Sequence, residues 1–299
     1  MENIEKPFIV ANTIPMSLGE IHQKHIIPVF SKDNSPLISQ SQMIETTIDT
    51  LTSLGYGLSD PEIRVSHPIM GRIPEARFKP ASELLPYEIT LYYERMMFLI
   101  KIPKIKSTVN GHDLSLVVGG IKSYSWDNLG RDHRAQQHFK FFVGFQVFVC
   151  SNLCISSDGA VLELKASSPH MITAQIQEMM KIYHPERHLS WLENLNNFSL
   201  EEAQFAKFIG RCSMQQYNET APEYSLSSTQ INSVVKGYYT DPHFKGGKEI
   251  PLWSLYNLIT ESNKGSYIDG FLNRNVSGER IIDDLRHSLQ TGSSSYFLN

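Results

Sequence analysis

The run Phe141-Phe142-Val143-Gly144-Phe145-Gln146-Val147-Phe148-Val149 constrains this chain more than any other segment. Successive side chains of an extended strand point to opposite faces of a sheet, so a run that is apolar at both odd and even positions needs cover on both sides. The segment is predicted as a central strand with protein packed above and below it. The neighbouring segments supply its sheet. Arg95 to Ile102, Leu114 to Tyr124, Phe139 to Val149 and Ala160 to Ala166 are rich in β-branched and aromatic residues. Asn110-Gly111 and Asp158-Gly159 provide the backbone freedom that tight reversals need. The predicted fold class is therefore α+β: an antiparallel meander over about residues 89–166, with helices packed on it from the C-terminal half.

Helical periods flank the meander. Ser39-Gln40-Ser41-Gln42 has capping-box spacing, and Ile44, Ile48, Leu51 and Leu54 recur at helical intervals until Gly55, predicting a helix from about Gln42 to Leu54. Ile172, Ile176, Met179 and Tyr183 form a second stripe that Pro185 ends. Ser199-Leu200-Glu201-Glu202 reads as another capping box ahead of Phe205, Phe208 and Ile209, and two more helices are expected at Trp253–Thr260 and Ile281–Leu289. Three stretches lack such a period. The first 38 or so residues read as a lead-in with an edge strand near Ile26–Phe30. Residues 61–86, interrupted by five prolines, read as a structured loop with one short strand at Ile63–Ser66, and Thr291–Asn299 reads as a Ser-rich tail. The expected division is an N-terminal segment at 1–60 with one helix, an antiparallel β core at 61–168, and a mainly helical region at 169–299 packing on that core. At 299 residues, one domain or two are both open.

Composition excludes several classes. Hydrophobic residues at 41% and charged residues at 19% place the chain among folding, globular sequences rather than disordered ones. A net charge of −4 means that no global field draws it to nucleic acid or anionic lipid, so any such affinity must be local. Three cysteines without dense spacing argue against a disulfide framework and for reducing surroundings. Met1 to Pro15 carries Glu2 and Glu5 and no apolar stretch followed by a cleavage site, and no window approaches the ~18 apolar residues of a membrane helix. A cytoplasmic protein without membrane contact is expected.

Two stretches carry a resemblance: Gly144-Phe145-Gln146-Val147-Phe148-Val149-Cys150-Ser151-Asn152 and Trp253-Ser254-Leu255-Tyr256-Asn257-Leu258-Ile259-Thr260-Glu261. A strand entering Val-Cys-Ser-Asn and a later helix with Leu-Tyr-Asn-x-x-Thr-Glu resemble the uncharacterised plasmid and phage proteins of bacterial mobile elements. The likeness is closer to a functionally unassigned branch on Bacteroides-type conjugative elements, and it extends to Arg64-Val65-Ser66-His67-Pro68 through Pro74. The resemblance implies a bacterial cytoplasm and a gene carried on mobile DNA. It implies no reaction.

Catalytic signatures are sparse. No Gly-x-Ser-x-Gly elbow and no Gly-rich phosphate loop is present, and Gly246-Gly247-Lys248 is too short to cradle a phosphate chain. Cys150 and Cys154 would share a face on one strand, with Cys212 as a further ligand, yet no Cys-x-x-Cys pair exists and buried free cysteine is common in cores. Asp127, Asp132, His133 and His138 could hold a divalent ion for phosphodiester hydrolysis, but their spacing matches no nuclease motif and a solvated loop explains them as well. His22 and His25 could act together only on a helix, and the following Ile26-Ile27-Pro28-Val29 favours an extended chain. Neither a cofactor nor a metal is expected.

The most suggestive remaining pattern interleaves cations with aromatics. Lys101, Lys104 and Lys106 are followed by Lys122, Tyr124, Trp126, Arg131, Arg134 and Lys140. A second run holds Lys236, Tyr238, Tyr239, His243, Phe244, Lys245 and Lys248. Single-stranded nucleic acid is bound by such combinations, in which cations neutralise phosphates and aromatic faces stack on bases. The competing explanation buries the aromatics and leaves the lysines on solvated strand edges. The leading expectation is thus a non-enzymatic, single-strand-binding accessory protein of a mobile element. The alternatives are a module that binds a host or element-encoded protein, for instance to inhibit a defence system, and a metal-dependent hydrolase or nuclease.

Overall fold

A computed structural model describes residues 7–24, 37–127, 136–218, 221–241 and 248–299. Eleven strands and eight α-helices lie within them. The main sheet is antiparallel and curled into a half-barrel. It begins with β1 (Thr13–Met16) at one edge, followed by β2 (Glu62–Ser66). Next come β5 (Arg95–Val109), β6 (His112–Ser123) and β7 (Gln137–Val147). The far side of β7 is shared by β8 (Leu153–Cys154) and β9 (Ala160–Ala166). The β5–β6 reversal sits at Asn110-Gly111, where both residues take positive φ (51° and 80°), the geometry of a tight hairpin turn.

As its two-faced apolarity requires, β7 is covered on both sides. Phe141, Val143, Phe145 and Val147 enter the larger apolar cluster, together with Met43, Ile44 and Leu51 of α2 (Gln40–Ser53) and Ile172, Ile176 and Met179 of α3 (Pro169–Ile182). Phe142 faces the other way, into a smaller cluster with Phe8, Ile9, Met97, Val117 and, from α8 (Ile268–Thr291), Phe271 and Leu272. Strands this tightly covered leave no room for added atoms. A Cβ on Gly144 would lie 2.4 Å from the Cys154 carbonyl oxygen, on backbone that cannot rotate away. Gly144→Ala is expected to destabilise by about 1–3 kcal/mol through overpacking between β7 and β8, measured by chemical denaturation.

The predicted helices at 42–54 and in the 170s are present as α2 and α3, and Ser39 forms the expected box with Gln42. Several details differ. Ser199–Glu201 is a strand, β10, paired with β11 (Glu249–Pro251). The next helix, α5 (Glu202–Met214), is capped by Glu201 with Gln204 instead. Pro185 stops α3 but also occupies the first turn of α4 (Pro185–Asn194), where its missing N–H costs nothing. A further helix, α6 (Ser228–Thr240), occupies part of the second basic run, with a Ser227–Gln230 box at its start. The helix expected at 253–260 is α7 (Leu252–Asn263).

The helix expected at 281–289 is the 24-residue α8. Gly278 lets α7 approach it closely, since a Cβ there would lie 2.7 Å from Ile259. Residues 61–86 hold β2 and also β3 (Pro68–Arg72), which pairs with β4 (Ile89–Tyr93) as a hairpin apart from the main sheet. The C-terminal stretch is docked rather than a free tail: Gly292 ends α8 in the left-handed region and Phe297 is buried against Phe208. The expected strand at Ile26–Phe30 lies outside the described residues. Near the N-terminus β1 forms one edge of the main sheet, with Pro15 where an edge tolerates it. A short helix α1 (Leu18–Lys24) follows it. Among the described residues no helix is long and apolar enough to cross a membrane.

Candidate nucleic-acid interface

The first basic cluster owes its position to a proline. Pro103 has no N–H for the ladder, and β5 loses register with β6 between Ile102 and Lys106, leaving residues 103–105 as a bulge. Lys104 and Lys106 are thereby exposed, and Lys101 is half-buried on the adjoining rung. Ser59, from the loop after α2, ties down this edge: its N–H donates to the Lys101 carbonyl (3.0 Å) and its hydroxyl accepts the Lys101 N–H (3.1 Å).

Across from the bulge, β7 does not continue to Val149. Ser151 takes a positive φ of 57°, its N–H donates to the Val147 carbonyl (2.8 Å), and the chain turns back two residues earlier than the apolar run suggested. Phe148 and Val149 consequently face solvent, at 62% and 61% exposure. Between bulge and turn lies a groove of about 520 Å³ whose lining includes Lys101, Lys106, Ser107, Ser115 and Phe148. Asp113, the acidic residue of this lining, already accepts the Thr108 hydroxyl (2.7 Å).

The same turn borders a second, smaller hollow of about 110 Å³, lined among others by His112, Val149, Cys150, Asn152, Trp253 and Asn257. Here the two stretches that carry the resemblance meet: the Asn152 amide donates to the Asn257 carbonyl (3.1 Å), and the Lys264 ammonium bonds the Cys150 carbonyl and the Glu261 carboxylate. Asn152 Oδ1 and Trp253 Nε1 are both buried without a hydrogen-bond partner, one acceptor and one donor at the wall of this hollow. His112 lies against the Trp253 ring at 5.7 Å. Burial pushes the Cys150 thiol above its ordinary range, so it is not a thiolate.

Other members of the expected interface lie elsewhere. Lys122 is fully buried, ion-paired with an equally buried Asp127 and seated 4.3 Å from the Phe139 ring; it cannot reach a phosphate. Tyr124 is buried beside it, and burial pushes its phenol well above the ordinary value. Lys140 spans to α8, donating to Asn273 Oδ1 (2.6 Å) and lying 4.6 Å over the half-buried Trp126 ring. Tyr238 is stacked on Phe205 (4.4 Å, 15°) inside the helical layer, whereas Lys236, Tyr239 and Lys248 are exposed. Lys236 and Tyr239 belong to α6 rather than to a loop. Arg131, Arg134 and Lys245 lie outside the described residues, as do Asp132 and His133.

The metal candidates that lie among the described residues are engaged elsewhere or apart. Asp127 has one oxygen on Lys122 and the other accepting the His138 N–H (2.7 Å). Cys150 sits in the turn and Cys154 on β8 within the core, so they do not share a strand face. Among the described residues no three His, Cys, Asp or Glu side chains converge as a metal site.

The family model described as "Domain of unknown function, B. Theta Gene description (DUF3871)" matches residues 2–298. The chain belongs to this family. No curated protein and no solved structure matches it. Membership thus spans both stretches of the resemblance and the whole groove, and it assigns no activity to them.

The apolar pattern hid Phe148, because a strand-ending turn cannot be told from a strand interior by hydrophobicity. Asn152, Trp253 and Asn257 were visible only as letters of the resemblance. Their convergence depends on the β7–β8 turn meeting α7.

Proposed function

We propose that this protein binds single-stranded nucleic acid along the Lys101–Lys106 groove and over the Phe148 turn, as an accessory protein acting in the cytoplasm. The observation that carries the reading is the juxtaposition of cations, hydroxyls and one exposed aromatic in a single groove. Lys101 and Lys106 neutralise phosphates, Ser107 and Ser115 hydrogen-bond their oxygens, and Phe148 offers a face on which a base stacks. The adjoining hollow, with Asn152 Oδ1 and Trp253 Nε1 unpartnered, suits the edge of one base. Asp241 at the end of α6 lines that hollow, which puts Lys236 and Tyr239 within the reach of a longer strand. The resemblance of residues 144–152 and 253–261 to mobile-element proteins supports a role on mobile DNA.

Fluorescence anisotropy with single-stranded and duplex oligonucleotides at two salt concentrations tests this. Binding should prefer the single strand and weaken with salt. Phe148→Ala should lower affinity about tenfold, within the ~1–3 kcal/mol of one stacked base. Lys101→Glu with Lys106→Glu should flatten the salt slope by roughly 0.7 per lost phosphate contact. Absence of binding at low salt sinks the reading.

A second reading rests on the β3–β4 hairpin, where Met70 (60%) and Leu91 (46%) are exposed directly opposite each other and the connection between the strands exposes Phe78 (90%) and Tyr87 (72%). Such a patch favours a protein partner. If this reading is right, Met70→Lys with Tyr87→Ser abolishes co-purification of a defined protein from cells and leaves nucleic-acid binding untouched.

A further inference from the structure

A cleft of about 540 Å³ opens between α4, the turn before β9 and the second half of α8, away from the groove and hollow. Its wall holds two titratable side chains that are more than nine-tenths buried and have an unused atom each. His188 is 4% exposed and its Nε2 has no partner; Glu279 is 9% exposed and its Oε2 has none. Natural proteins rarely leave buried polar atoms unpaired without a ligand or functional role to explain them.

The two groups are held firmly. The Tyr183 hydroxyl lies 2.6 Å from His188 Nδ1, which fixes the ring and points Nε2 away from the tyrosine. Burial depresses the imidazole to about 4, so His188 is neutral at physiological pH. The Ser157 hydroxyl bonds the Glu279 carboxyl, while burial, Asp283 and Asp158 together raise that acid to about 7.

Within the charged lining Asp283 and Arg286 pair with each other, which leaves Asp158, Glu279 and Arg187. Arg286 is bound to Asp283 (2.8 Å) and Gln290 (2.8 Å), and Asp283 also accepts the Trp191 indole N–H (2.9 Å), so these form a closed wall. Arg187 is exposed on α4, and Arg280 is exposed on α8, its charge opposing the rise of Glu279. Asp158 and Glu279 then remain as acids without a basic partner among the described contacts; Asp158 accepts only the Ser156 hydroxyl. An anion would meet these carboxylates. An ammonium group would satisfy Glu279 Oε2 and be attracted by Asp158.

From this geometry we propose that the cleft binds a small organic cation bearing a primary amine, held by Glu279 and Asp158 and contacting His188 Nε2. The partly buried Trp191, whose ring edge packs on Tyr256, closes one side and reports occupancy through its fluorescence. A bound ammonium favours ionised Glu279 and expels its proton. Affinity therefore falls as pH drops through the range in which Glu279 takes up that proton.

The test is calorimetric titration of the full chain with putrescine, and with 1,4-butanediol as the uncharged counterpart of the same length. Putrescine should bind about tenfold more weakly at pH 6 than at pH 8, with proton release visible as a dependence of the heat on buffer ionisation enthalpy. Glu279→Gln should abolish both the pH dependence and the proton release, and Asp158→Asn should weaken binding while leaving proton release in place. The site is overturned as a cation site if the diol binds as tightly as the diamine. It is equally overturned if putrescine at millimolar concentration gives neither heat nor a change in tryptophan emission.

Discussion

Asp127→Ala is expected to destabilise the protein by about 3–5 kcal/mol, the range found when one partner of a buried ion pair is removed. The Lys122 ammonium is fully buried, lies 4.3 Å from the Phe139 ring and 5.4 Å from the Tyr124 ring, and has the His138 carbonyl at 3.3 Å. Ring faces and one carbonyl do not replace a carboxylate. Asp127 also accepts the His138 N–H, so its loss unsettles the start of β7. Burial already holds Lys122 down to about 8, with Asp127 pulling it upward. Without Asp127 it falls further. A lysine whose folded value lies below its ordinary value weakens the fold as pH falls through the folded value. The deficit of the variant should therefore be largest at and below neutral pH and shrink towards pH 9. Urea denaturation at both pH values measures this. Asp127→Asn combined with Lys122→Met, which keeps an acceptor for His138 and removes the charge, should recover most of the loss. An Asp127→Ala protein within about 1 kcal/mol of the parent at pH 7 would show that the pair does not hold the fold.

Glu279→Gln should leave stability at pH 5 nearly unchanged and raise it at pH 8. Glu279 is held at about 7 against an ordinary 4.5. An acid with a raised folded value contributes stability that is complete below the ordinary value and is lost as pH rises through the folded one. At about 1.4 kcal/mol per unit, that loss approaches about 3 kcal/mol by pH 8. His188 works in the opposite direction: depressed to about 4 from 6.5, its contribution is complete above the ordinary value and lost as pH falls through the folded one. In the parent the two oppose each other between these ordinary values, and its stability changes little there. The glutamine variant keeps only the histidine, so its stability should climb from pH 5 and exceed the parent at pH 8, by roughly 5 °C in Tm. Thermal melts at the two pH values decide it, and an equal shift at both would rule out titration of Glu279 as the cause.

The strands were legible because period and turn chemistry are local properties. Asn110-Gly111 marks its hairpin, and the Phe141 run announces its own burial. α4 and α6 are hidden for a local reason too: Pro185 looks the same as a helix stop and as a helix start, and in Lys236 to Tyr239 the charge pattern is plainer than the helical period. The aromatic and basic interleaving could not sort itself. Lys101 and Lys122 are both lysines in strands rich in apolar residues, yet a proline bulge exposes the region of one and a half-barrel wall encloses the other.

From its residues alone the chain determined an antiparallel sheet with one strand covered on both faces, helices following it, and the absence of a familiar catalytic motif. Those depend on hydrophobic period and turn residues, which act over a few positions. The tertiary structure decided everything that depends on which distant surfaces meet. It turned the chain at Ser151 so that Phe148 faces solvent and Asn152 meets α7. It also buried Lys122 with Asp127, and set His188 beside a cleft with Glu279, 91 positions later in the chain. Burial and pairing at such separations are set by packing, and no local pattern in the sequence encodes them.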